Sequence, residues 1–168
     1  ESAVAGGIPI IKALREGLAA NRIEWLAGII NGTGNFILTE MAAHGRQFDD
    51  VLQQAQALGY AEADPALAVG GIDAAHKRSI MAAIACGIPL QFHKTYTEGI
   101  SHITPEDIDY AAELGYRIKH LGIAKLSAQG VELRVHPTLI SKKRLLANVD
   151  GVGNAVVVHG NAVGSTLY

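Results

Sequence analysis

The chain of 168 residues is 49% hydrophobic and 18% charged, enough apolar surface to close one ordinary core. Its net charge of -2 excludes the basic footprint of a nucleic-acid binder, so a small-molecule partner is expected. No stretch approaches the ~20 apolar residues of a membrane span, no charged-then-apolar leader opens the sequence, and Cys86 as sole cysteine rules out an internal disulfide; the cytoplasm is the expected setting.

Glu1-Ser2-Ala3-Val4-Ala5-Gly6-Gly7-Ile8 reads as a small-residue loop, a setting in which backbone carbonyls can turn toward one point. Pro9 in a first turn, then Ile10, Ile11, Leu14 and Leu18 with Lys12 and Arg15 opposite, predicts an amphipathic helix ending near Asn21. Residues 23–30 read as a buried strand. Gly32-Thr33-Gly34-Asn35 reads as a turn that caps a helix running from about Phe36 through Met41 and stopping at Gly45. Asp49 or Asp50 opens another, which carries Val51, Leu52, Ala55 and Leu58 inward and ends at Gly59. After an extended run set by Pro65, a long helix spans about Gly71 to Ala85 and is stopped by Gly87 and Pro89, with Cys86 a buried structural thiol at its end.

Beyond that point the pattern changes. Thr104-Pro105-Glu106-Asp107 joins an N-cap, a first-turn proline and two acids on the positive end of a helix that reaches Leu114 before Gly115. Tyr116 to Lys125 and Val131 to Leu139 read as strands joined by the hairpin Ser127-Ala128-Gln129-Gly130. Ala155 to His159 and Val163 to Tyr168 supply two more, and Val156-Val157-Val158 and Leu167-Tyr168 read as edges open to pairing. Helices early and strands late, without strict alternation, predict a single α+β domain: one mixed or antiparallel sheet with helices packed on one face. The first residue is not methionine and the last ones are strand-like, so both ends read as cut from something longer. Gly151-Val152-Gly153-Asn154-Ala155-Val156 lacks the third glycine of a dinucleotide fingerprint and leads into a strand, so nucleotide binding is expected mainly from outside these residues.

Two carboxylates and an amine cluster between residues 58 and 77, which suits a small zwitterion. Asp73 and Lys77 stand four apart on one helix face with the acid nearer the N-terminus. A solvated ion pair worth ~0.3–0.5 kcal/mol has the same spacing. Glu62 reads either as an acceptor for an ammonium or as a surface acid before a turn. Tyr60 reads either as a substrate contact or as a ring closing the core. Gly32 and Thr33 offer an anion site at a helix start, or a plain cap. Asp64 before Pro65 reads as a turn former. The seven histidines show no metal-binding pair, and His76, about 100° around the helix from Lys77, reads as peripheral.

The stretch Ala61-Glu62-Ala63-Asp64-Pro65 through Gly71-Ile72-Asp73-Ala74-Ala75-His76-Lys77 resembles the substrate pocket pattern of the homoserine dehydrogenases. So do residues 1–10, Asn31-Gly32-Thr33-Gly34-Asn35-Phe36, Tyr96-Thr97-Glu98-Gly99-Ile100 and Leu146-Ala147-Asn148-Val149-Asp150-Gly151-Val152, which together cover essentially the whole chain. The resemblance implies NAD(P)-dependent interconversion of L-aspartate 4-semialdehyde and L-homoserine, on the route to threonine and methionine. It implies Lys77 as proton donor or acceptor steadied by Asp73, Glu62 on the substrate ammonium, and Tyr60, Gly32 and Thr33 around the substrate. It further implies sodium or another monovalent cation held by the Glu1 side and by carbonyls of Val4, Gly6 and Ile8, and a nucleotide-binding domain absent from these residues, with residues 1–168 as the catalytic and dimerisation domain; the open strand edges read as the pairing surfaces of a homodimer. Ala68 departs from the pattern by standing where the family has an aspartate thought to hold the substrate, and an alanine accepts no side-chain hydrogen bond. Gly70 and Gly153 are also smaller than the pattern. Ala68 favours a rival reading, a catalytically silent dimerisation module.

Overall fold

Apolar residues recurring every three or four positions make the first half of the chain helical. In the computed structural model, which describes the backbone of residues 2–168 and the side chains of residues 4–168, α1 (Ser2–Ala5) is a single turn. α2 (Ile10–Lys12) follows Pro9 and widens into a π turn over Ala13–Gly17, so the amphipathic helix is present and buries Ile10, Leu14 and Leu18 but stops short of Asn21. After β1 (Ile23–Ile29) comes α3 (Gly32–His44). It starts four residues before the expected Phe36 because Asn31, extended at φ -128, caps it by accepting the Gly34 N–H at 2.7 Å. α4 (Phe48–Ala57) and the one-turn α5 (Ala66–Val69) lead to α6 (Ile72–Cys86), bracketed by the left-handed Gly71 and Gly87. β2 (Tyr96–Thr97) is a two-residue strand with no sequence pattern to announce it. α7 (Pro105–Glu113) opens with the expected cap, completed as a capping box in which Asp107 also accepts the Thr104 N–H. β3 (Tyr116–Ser127), β4 (Gly130–Ser141), β5 (Ala155–Gly160) and β6 (Gly164–Leu167) complete the chain.

The six strands form one sheet in the order β2-β4-β3-β1-β5-β6. Every pair is antiparallel except β2 with β4, which makes the sheet mixed. β5 is an interior strand between β1 and β6, so the Val156-Val157-Val158 run is not an edge; the edges are β2 and β6. Leu26, Ile30, Val135, Val156 and Val158 meet Ile10, Leu14, Ala75 and Met81 on the helical face. Each large aliphatic buried there stabilises the fold by roughly 1.5–3 kcal/mol. A second cluster joins α3, α4 and α7 around Ile37, Met41 and Val51. On the opposite face, Ile29, Leu121 and Ala155 are covered in part by the turn Leu145–Asn148, while Trp25, Ile123 and Val157 stay half-buried. Among the described residues no helix is long and apolar enough to cross a membrane.

Candidate functional site

A strand that ends beside a capped helix leaves N–H groups pointing away from the sheet, and here the α3 N-terminus opens on a cavity of about 500 Å³. The link from α4 to α5, the first turns of α6 and Val152 supply the other walls. Asp73 and Lys77 line it, with Lys77 Nζ 2.8 Å from Asp73 Oδ2 and 3.2 Å from the Ile30 carbonyl. The two side chains are 33% and 22% exposed, so the pair is neither a solvated surface bridge nor sealed away.

Glu62, Tyr60, Gly32 and Thr33 line the same cavity. Glu62 is exposed on its rim. The Tyr60 ring stands edge-on to Phe36 at 5.1 Å between centroids, so it packs on the core and borders the cavity at once. The Thr33 hydroxyl donates to the Tyr60 carbonyl, which ties α3 to the α4–α5 link and commits the hydroxyl proton away from any ligand. As first-turn residues Gly32 and Thr33 keep N–H groups without an intrahelical acceptor. A Cβ on Gly32 would sit 2.9 Å from the Val152 carbonyl, so only glycine lets the 149–153 segment close this wall. Asp64 accepts the Ala66 N–H at 3.1 Å, the turn-forming role expected of it, and also borders the cavity. Ala68, on α5, lines it with a methyl group alone.

Three contributors were not anticipated. Asn31 accepts from Gly34 through Oδ1 and donates through Nδ2 to Asp73 Oδ2 at 2.8 Å; its place just before Gly32-Thr33-Gly34 was the available signal, since asparagine is a favoured N-cap. His76 lines the cavity instead of standing peripheral to it, its ring stacked on Phe92 at 3.8 Å, because the opening is wider than one helix face. Val152 arrives from a segment more than 70 positions away in sequence from Lys77, positioned by Asn35. The buried Asn35 amide donates to the carbonyls of Val149, Gly151 and Gly153 at 3.0, 3.0 and 3.3 Å. Lys119, equally buried, donates to Asn35 Oδ1, the Val149 carbonyl and Asp150 at 3.1, 2.6 and 3.1 Å. Burial lowers the Lys119 ammonium below the usual lysine range, against the pull of Asp150. Burial works to raise the Asp150 carboxyl, but Lys119 and Arg117 outweigh it and the net direction is downward.

The N-terminal stretch is less open than its sequence reads. Val4 lies in the turn of α1 and is buried, and the Ile8 carbonyl accepts the Ile10 N–H at 2.8 Å. Gly6 takes φ +59 against Asn154, whose Oδ1 is buried without a partner among the described residues. Glu1 lies outside the described residues. Cys86 is half-buried, where full burial was expected, and its surroundings push the thiol pKa up.

The family model for homoserine dehydrogenase matches residues 9–168. A homoserine dehydrogenase of Pseudomonas aeruginosa is 71% identical over all 168 residues, which span 39% of its length. The crystal structure of a homoserine dehydrogenase from Thiobacillus denitrificans superposes with a TM-score of 0.98 at 71% identity, covering the whole chain and 39% of that protein. A hyperthermophilic archaeal homoserine dehydrogenase in complex with NADPH gives 0.82 at 29% identity, over 99% of this chain and 47% of that one. With the family model spanning residues 9–168 and a relative 71% identical over all 168 residues, the chain belongs to the homoserine dehydrogenase family.

Proposed function

We propose that these residues form the substrate-binding and catalytic part of a longer enzyme that interconverts L-homoserine and L-aspartate 4-semialdehyde with NAD(P), in amino-acid biosynthesis leading to threonine and methionine. The observation that carries this reading is Lys77, held by Asp73 on the wall of the cavity that Glu62 borders. Reduction of an aldehyde leaves a developing alkoxide, which needs a proton donor within hydrogen-bond reach. Lys77 has three N–H bonds, of which Asp73 and the Ile30 carbonyl take two, so one is left for the substrate oxygen. In the reverse direction the amine takes the hydroxyl proton. Glu62 takes the substrate ammonium, Tyr60 borders it, and the N–H groups of Gly32 and Thr33 take the carboxylate.

The cavity exceeds a small amino acid in volume, and its apolar lining of Leu67, Ile72 and Val152 fits a flat ring beside the reacting carbon. A nicotinamide supplies or removes the hydride when bound there. A hard monovalent cation such as sodium would take carbonyls of Val4, Gly6 and Ile8 and the Glu1 side as oxygen ligands at the left-handed turn of Gly6; the Asn154 side chain meets that turn through Nδ2, with its buried, unpartnered Oδ1 on the far side of the same amide. The half-buried apolar residues of the open sheet face, Trp25, Ile123 and Val157, support a homodimer. The single thiol fits a cytoplasmic setting.

In the full-length polypeptide, Lys77→Ala lowers kcat by about a thousandfold while homoserine binding persists, as expected for loss of a general acid–base. An unchanged kcat refutes the assignment. Ala68→Asp restores an acceptor to the lining and tightens homoserine binding, read by calorimetry. If neither the parent nor Ala68→Asp binds homoserine, the silent dimerisation module is the better description.

A further inference from the structure

We infer that Asn31 is a positioning residue of this reaction: one side-chain amide caps α3 and, through Asp73, aims Lys77 into the cavity. The inference rests on the reading of Lys77 just given. The polarity of the amide is dictated by its neighbours. A backbone N–H can only donate, so Oδ1 must face Gly34, and Nδ2 is thereby turned to Asp73 Oδ2. That same carboxylate oxygen accepts from Lys77 at 2.8 Å. Asp73 Oδ2 therefore has two donors, one on its own helix and one on another element. The residue before Asn31 adds a second restraint, because the Ile30 carbonyl accepts from Lys77 Nζ. Two consecutive residues of the β1–α3 link thus hold both members of the ion pair.

The residue after Asn31 begins the run of first-turn N–H groups that borders the cavity. A carboxylate docked on Gly32 and Thr33 would consequently rest on the same rigid turn that orients the amine. Without the amide, Asp73 can rotate and the Lys77 ammonium follows it, with substrate affinity little altered.

Two substitutions in the full-length polypeptide separate this role from simple capping. Asn31→Ser and Asn31→Asp both preserve a good N-cap, yet serine is too short to reach Asp73, and aspartate presents an acceptor where a donor is needed. Losing a hydrogen bond to a charged group is expected to cost about tenfold in kcat for Asn31→Ser and about a hundredfold for Asn31→Asp. For Asn31→Ser the melting temperature and the KM for homoserine stay near those of the parent. In Asn31→Asp a second carboxylate favours the protonated amine, so the pH of half-maximal homoserine oxidation moves upward. Unchanged kcat and pH–rate profiles in both variants, beside an inactive Lys77→Ala protein, overturn this inference alone. A kcat that falls only in step with melting temperature overturns it too. A Lys77→Ala protein whose kcat is unchanged sinks the reading of the site and this inference with it.

Discussion

His120 shows how one side chain can bind several elements and record pH in doing so. It is 6% exposed, and its Nε2 lies 2.8 Å from the Glu98 carbonyl, which places the proton on that nitrogen. Its ring faces Gly71, the left-handed residue that opens α6, where a Cβ would come within 3.0 Å of Cε1. Burial, the largest influence, lowers the His120 pKa below the ordinary histidine value; His136 acts the same way, and the bond to Glu98 opposes them. The unfolded chain therefore binds a proton at a higher pH than the folded one does. Stability is fully present above about 6.5 and falls as pH drops from there toward the depressed folded value, by at most ~1.4 kcal/mol per pH unit for one group. His120→Gln keeps a donor for Glu98 and cannot titrate. Its unfolding free energy, measured by denaturant titration between pH 7 and pH 5, is expected to fall less steeply than that of the parent.

At the scale of elements, what could be read in the sequence was whatever is decided locally. α7 is the clearest case: Thr104, Pro105 and Asp107 carry every signal of its start within four positions, and Gly115 follows its end. The hydrogen bonds from Thr104 hold the Asp107 carboxyl below the usual range. Thr104→Ala removes the cap and should cost about 1 kcal/mol, seen as a lower denaturant midpoint with an unchanged slope. The β3–β4 hairpin was legible for the same reason. The start of α3 is hidden in the sequence because the glycines after Asn31 resemble a turn until the cap to Gly34 is formed. β2 could not be read at all, since two residues carry no period and its place beside β4 depends on the whole sheet. The stretch from Tyr60 to Lys77 is legible as a candidate site because one segment supplies most of the cavity lining. Asn31 and Val152 are not, because only the tertiary fold brings them to that segment.

Across the whole molecule, the cavity depends on whether the 149–153 segment is held against the start of α3, and the holding is done by buried polar atoms. The Asn35 amide gathers three carbonyls of that segment, while its oxygen is matched to the Lys119 ammonium. Such a network is stable only when every member has a partner, since an orphaned buried group costs about 1–3 kcal/mol. Asn35→Asp preserves shape and volume but turns an oxygen toward the three carbonyls, with no proton to share at neutral pH. The remaining attraction to Lys119 is too one-sided to offset that repulsion, because Lys119 already serves the Val149 carbonyl and Asp150. The expected result is a loss of about 3 kcal/mol in unfolding free energy. Amide hydrogen exchange should accelerate over residues 149–153, while the β3–β4 hairpin exchanges at a rate governed by global stability. With the segment released, Val152 no longer closes the wall beside Gly32, so homoserine affinity falls in the same variant. If Asn35→Asp keeps both its stability and slow exchange in that segment, these carbonyl contacts do not hold the wall in place.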